Sequence, residues 1–141
     1  MPPPAVAAPA SVASPVQASL GRVTLNPKFI ERFYAVFLAR DPKIKARFVQ
    51  TDWATQRAML KHSIAMVVMM SSGAGFAVGA IDRLGKSHDR QGHAVTAGEY
   101  AHWRAALLQV LRELDPLYTP ALQAAWEKVI DAAIKRMLSH F

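Results

Sequence analysis

The sequence predicts an all-α fold, and three kinds of observation lead there. Capping side chains stand directly before prolines at Asn26-Pro27, Asp41-Pro42 and Thr119-Pro120. That is a favoured way to open a helix, because the cap accepts an orphan N–H and proline has none to lose. Apolar residues recur at helical period along the later segments, and no stretch sustains the alternation of a strand. The length of 141 residues fits one domain with a full core.

Taken in order, residues 1–18 hold Pro2, Pro3, Pro4, Pro9 and Pro15 and no charged side chain. A secretory signal needs a basic start and an unbroken apolar segment, so this stretch reads as a flexible Pro/Ala tail, and residues 19–141 as the folded domain. A short first helix is expected near Val16–Val23, overlapping the tail. The capped prolines then start helices over Pro27–Ala39 and Pro42–Arg47. Trp53–Met70 follows, closed by the break at Ser71, Ser72, Gly73 and Gly75. Phe76–His88 comes next. Thr96 with Glu99 forms a capping box for Ala97–Leu114, and Thr119 caps Pro120–Ser139. Tyr100, Trp103, Leu107, Val110, Leu111 and Leu114 make one apolar stripe, and Leu122, Trp126, Val129, Ile130, Ala133 and Met137 another. A short loop around Asp115-Pro116 joins these two helices, which are expected to pack antiparallel in an orthogonal assembly rather than a symmetric four-helix bundle.

Composition excludes several classes. Hydrophobic residues make up 52%, yet the longest apolar candidate, Ile64 to Ala80, is interrupted by serine and glycine, so no membrane span is expected. The chain has no cysteine, which removes thiolate catalysis, cysteine-based zinc sites and thiolate-ligated haem. With no secretory signal and no disulfides, a cytoplasmic location is the default. The net charge of +7 raises the possibility of nucleic-acid binding. The basic residues are scattered over solvent faces, however, as Lys43, Lys45 and Arg47, then Arg57 and Lys61, then Arg83, Lys86 and Arg90, and no recognition helix stands out.

Three polar side chains sit on apolar helical faces. Ile81, Leu84 and His88 share one face, and His88 either packs and hydrogen-bonds at its edge or serves as a ligand. Gln56 is the polar member of the Gln56, Leu60, Ile64 and Val67 stripe. Without a partner a buried amide costs about 1–3 kcal/mol, so Gln56 lies at the solvent end of its helix or faces a ligand. Tyr34 lies among Phe29, Ile30, Phe33 and Phe37, and its hydroxyl needs a partner, from backbone or elsewhere. His62 falls about 120° off the Gln56 stripe at 3.6 residues per turn and belongs to the surface, as does His102, which points away from the Tyr100–Trp103 stripe. Met66, Met69 and Met70 fill core.

With these residues in place the chain resembles the single-domain bacterial globins and the globin part of flavohaemoglobins. The resemblance runs from about Ser19 to Met137. It is carried by FYAVFLARDPKIKARF (Phe33–Phe48), by Gln56 with Leu60, by LGKSH (Leu84–His88), by Tyr100 and by Ala125-Trp126. It implies a globin fold holding haem b, with His88 as the proximal iron ligand, Phe48 packed on the haem and Leu60 as an apolar distal contact. Leu84 and Val95 pack against its face and edge, Tyr34 and Gln56 form the distal pair that hydrogen-bonds a gas ligand, and Tyr100 supports the proximal side. Two departures stand out. The segment between His88 and Tyr100 is longer than in the bacterial relatives and carries His93. The glutamate that flavohaemoglobins place against the proximal histidine has no match, since neither Glu127 nor Asp131 stands at its position; this implies a less electron-rich imidazole and weaker oxygen activation.

The function implied is reversible binding of dioxygen and related diatomic gases, nitric oxide and carbon monoxide among them, for storage or delivery. Nitric oxide dioxygenation fits the Tyr34 and Gln56 pair but needs a separate reductase. Gas sensing needs an output through a partner. A haem-free helical interaction module, which would purify colourless, and a basic nucleic-acid binder, with steeply salt-dependent affinity, are the alternatives outside this class.

Overall fold

The computed structural model describes residues 13–88 and 94–139. Helices occupy most of them: α1 (Ala13–Thr24), α2 (Phe29–Arg40), α3 (Pro42–Arg47), α4 (Trp53–Ser71), α5 (Gly75–Ser87), α6 (Ala97–Leu114) and α7 (Pro120–Leu138). No strand occurs among the described residues. The expected all-α architecture is therefore what the chain adopts. His93 and the first residues of the tail lie outside the described residues.

The helix starts follow from local chemistry. Asp41 accepts from the Lys43 N–H at 2.8 Å and Thr119 from the Leu122 N–H at 3.1 Å, each followed by proline. Thr96 and Glu99 form the reciprocal capping box, and α6 has the expected bounds. Asn26 behaves differently. Its side chain accepts from Lys28 N–H at 2.9 Å and builds a turn ahead of the helix, so α2 begins at Phe29 rather than at Pro27. An unforeseen cap, Asp52, opens α4. The end of α4 is a Schellman motif: Gly73 adopts φ 87°, its N–H donates to Met70, and the Ala74 N–H donates to Met69.

Helix α1 reaches back to Ala13, into the stretch assigned to the tail, because Val16 and Val23 are fully buried on one face with Leu20 packed between them. Burial of that stripe offsets the weak helical preference of its small and branched residues. α1 packs on α7 and α4, α2 on α6, α4 on α5, and α5 and α6 on α7. Phe29, Phe33, Ile44, Ile64, Ile81, Leu107, Leu111, Trp126 and Ile130 form the centre of the core. The α7 stripe is buried throughout, whereas Trp103 and Leu114 of the α6 stripe are half-buried at the core's edge.

A polar junction ties α1 to the α6–α7 corner. The Asp115 carboxylate, buried at the end of α6, accepts from Ser19 Oγ at 2.6 Å, from Arg22 Nε at 2.7 Å and Nη2 at 2.9 Å, and from the Leu117 N–H at 2.9 Å. Trp126 Nε1 donates to Ser19 Oγ at 2.9 Å. Every buried polar atom of this junction is thereby satisfied. The Arg22 guanidinium holds the Asp115 carboxyl down at about 2, with Ser19 and the Leu117 N–H assisting against burial.

Candidate functional site

The first group of candidate residues meets where α2, the end of α3 and the start of α4 converge. Tyr34 is buried on α2 and Gln56 is half-buried in the first turns of α4. The Gln56 Nε2 amide donates to Tyr34 Oη at 3.0 Å, and Tyr34 Oη donates to the Gln56 carbonyl across a long 3.4 Å. The partner that each of these polar groups needs is therefore the other. Burial pushes the Tyr34 phenol up from its ordinary range, against the opposing pull of the Gln56 hydrogen bond and the Arg57 charge, so it stays a protonated donor at neutral pH.

Aromatic rings wall this pair. Phe48 lies 5.9 Å from Tyr34 and 6.2 Å from Phe37, edge to face. Trp53 stacks on Phe48 at 5.7 Å and meets Tyr34 at 5.0 Å. Sequence reasoning missed Trp53, although it stands three residues before Gln56 and seven before Leu60, on the same face of α4 at 3.6 residues per turn. Leu60 and Ile64 continue the apolar face of α4 and are buried. His62 is exposed, as its angle off that face predicts, and Met66 and Met70 pack against the core.

The second group lies at the end of α5. His88 caps the helix with its side chain half-buried. Its Nδ1 is 2.8 Å from the Leu84 carbonyl and 3.0 Å from Ser87 Oγ. A carbonyl only accepts, so Nδ1 carries the proton and the lone pair of the neutral ring resides on Nε2. Leu84 is partly buried against the core, and so is Val95, whose N–H donates to the His88 carbonyl at 3.0 Å. The Tyr100 ring lies 6.3 Å from the His88 ring, and burial, helped by the neighbouring Glu99 charge, pushes its phenol up to about 12.

Glu127 and Asp131 are held by Arg104, with Nε 2.7 Å from Asp131 and Nη2 3.3 Å from Glu127, in an exposed cluster on α6 and α7. Their charges are spent there. His102 differs from expectation. Instead of being simply solvated, it is half-buried, accepting from Arg40 Nε at 3.0 Å and lying 3.6 Å from Asp41.

Open depressions also lie elsewhere on the surface of the described residues. One, of about 520 Å³, covers Ala54, Thr55, Ala58, Met59 and His62 on the outer side of α4, and one of about 330 Å³ lies between α1 and the start of α7. Neither includes Tyr34, Gln56 or His88, so neither belongs to the candidate site formed by the two groups above. Among the described residues no three His, Asp or Glu side chains gather to cage a metal ion. A single imidazole with its tautomer fixed by a backbone carbonyl suits a metal whose other ligands come from a macrocycle.

An all-helical fold that sets a histidine at one helix end and a tyrosine–glutamine pair on the neighbouring helices is a globin arrangement. Residues 31–137 match the globin family model, and the chain belongs to that family. It is similar to the crystal structure of a Pseudomonas aeruginosa PAO1 protein described as structurally highly homologous to a human hemoglobin. The two share 30% identity over 93% of this chain and 98% of that one, with a TM-score of 0.88. No curated protein matches. The resemblance to bacterial globins read from the sequence is borne out.

Proposed function

We propose that this globin binds haem b through His88 and uses the pocket for reversible binding of dioxygen and related diatomic gases. The observation that carries the reading is the His88 Nδ1 hydrogen bond to Leu84, which directs the ring's lone pair to Nε2 as a neutral ligand. With no cysteine in the sequence, thioether attachment of the haem is excluded. Bound there, haem supplies an iron with an open position for a gas.

The chain's own side chains do the rest. Leu84, Val95 and Phe48 pack against the macrocycle, Tyr100 backs the imidazole, and Leu60 and Ile64 exclude water from the distal side. Because Tyr34 Oη accepts from the Gln56 amide, its own proton remains to be given. The present acceptor, a carbonyl at 3.4 Å, is a weak competitor for it. A small rotation aims that proton at a partly negative ligand in a dry pocket, where a donor is worth more than in water. The fixed pair also favours a second reading, nitric oxide dioxygenation with a separate reductase. Engagement of Glu127 and Asp131 by Arg104 leaves neither to act on His88, which favours binding or delivery over oxygen activation. The absence of cysteine is in keeping with a reducing, cytoplasmic location.

Titration of His88→Ala with ferric haem is the test. Loss of stoichiometric binding with the fold retained by circular dichroism is expected. Binding with an unaltered spectrum would overturn the assignment of His88.

A further inference from the structure

Ala94 is the only non-glycine residue with positive φ among the described residues, at 52°. An L side chain seldom adopts that conformation unless its surroundings impose it. The next peptide N–H, from Val95, donates to the His88 carbonyl at 3.0 Å, so the strained residue borders the contact that closes the chain back onto the end of α5. A side chain grips the same residue from the other side. Arg47, the last residue of α3, donates from Nη2 to the Ala94 carbonyl at 3.2 Å. The same guanidinium forks onto Glu99, from Nη2 to Oε1 at 2.9 Å and from Nε to Oε2.

Glu99 in turn closes the capping box of α6, accepting from the Thr96 N–H at 3.1 Å. Burial alone would raise the Glu99 carboxyl, but the Arg47 and Thr96 bonds outweigh it and hold it down, so it is charged and the fork is a charge-assisted one. Planar, with donors in fixed directions, an arginine can grip a carboxylate and a carbonyl together; a lysine ammonium cannot reproduce that geometry. Arg47 also directly precedes Phe48, whose ring faces Tyr34 and Trp53. One side chain thus joins the wall of the distal group to the segment behind the proximal one.

We infer that Arg47 is a positioning residue: its grip on Ala94 and Glu99 holds the segment before α6 in a strained form that fixes the Val95 contact and the setting of His88. The inference rests on the haem-binding reading for its consequence, namely slow haem loss and a single imidazole geometry, while the latch itself is a property of the chain.

The test compares Arg47→Ala with Arg32→Ala, which removes a similar exposed fork, Arg32 onto Glu113 at 2.7 and 2.9 Å, far from this segment. Both variants are expected to lose a little thermal stability. Arg47→Ala alone should speed haem transfer to an apoglobin acceptor by about tenfold, the worth of the single bond from a charged donor that holds Ala94, and shift or broaden the iron–histidine stretch in resonance Raman spectra. Arg47→Lys should recover the thermal stability and not the haem retention. In haem-free protein, amide exchange at Val95 should accelerate in Arg47→Ala and not in Arg32→Ala. Equal haem loss in wild type, Arg47→Ala and Arg32→Ala, or unaltered Val95 exchange, would overturn the latch. Should the wild-type chain take up no haem, the haem-binding reading fails, and Val95 exchange still decides on Arg47.

Discussion

Replacing Asp115 by asparagine keeps the shape of the junction between α1, α6 and α7 and removes its charge. The carboxyl's drop from 3.8 to about 2 converts, at about 1.4 kcal/mol per pH unit, to about 2.5 kcal/mol of stability. The hydrogen bonds agree with that size, since bonds to a charged group contribute about 1.5–3 kcal/mol each before cooperative losses. Breaking a fully buried pair costs about 3–5 kcal/mol. Arg22, however, keeps 28% of its side chain exposed and can turn to water, which places this pair below that range. The sign is fixed by the direction of the change. A depressed folded pKa gives stability that is whole above 3.8 and is lost as pH falls through about 2. Urea unfolding followed by tryptophan fluorescence and circular dichroism, at neutral pH and in steps to about pH 2.5, reads the difference directly. Wild type should exceed Asp115→Asn by about 2–3 kcal/mol at neutral pH, with the gap closing below about pH 4. A gap under about 1 kcal/mol at neutral pH, or one that persists unchanged to pH 2.5, would refute the ion-pair account.

Gly73→Ala is expected to destabilise by about 1 kcal/mol in the same unfolding assay. The added Cβ meets no atom within 4 Å, so the cost comes from φ 87° alone. Ile81→Ala, at a fully buried position on α5, should cost about 2–5 kcal/mol through the cavity it leaves, and calorimetry would show it as a lowered melting temperature. For Tyr34→Phe, stopped-flow kinetics of the reduced, oxygen-loaded protein should show dissociation faster by roughly tenfold or more, the worth of a hydrogen bond to a partly charged ligand. An off-rate equal to that of wild type would assign the Tyr34 proton to the Gln56 carbonyl in every state.

The helices were legible because their signals are local. Asp41, Thr96 and Thr119 act on N–H groups within the next turn, and the α7 stripe needs nothing beyond its own period. Asn26 shows the limit of the same logic: the residue type announces a chain reversal, but whether its oxygen reaches a turn or a helix depends on where the core draws Phe29 and Phe33. The Tyr34–Gln56 pair was legible as two polar residues on apolar faces, each in need of a partner. The Asp115 junction was not, since Ser19, Arg22 and Trp126 are distant in sequence and the Asp115-Pro116 step reads locally as an ordinary loop. Arg47 was equally hidden. It reads as one more solvent-facing cation, and only the strained Ala94 and the shared Glu99 mark it out.

The absorption spectrum of the purified chain, ferric, then reduced with dithionite, then exposed to oxygen, tests the central claim most directly. A haem pocket that binds oxygen gives a strong Soret band that shifts on reduction and shifts again, reversibly, with oxygen. No Soret band, even after addition of haem, would contradict that claim and leave a globin fold with another purpose.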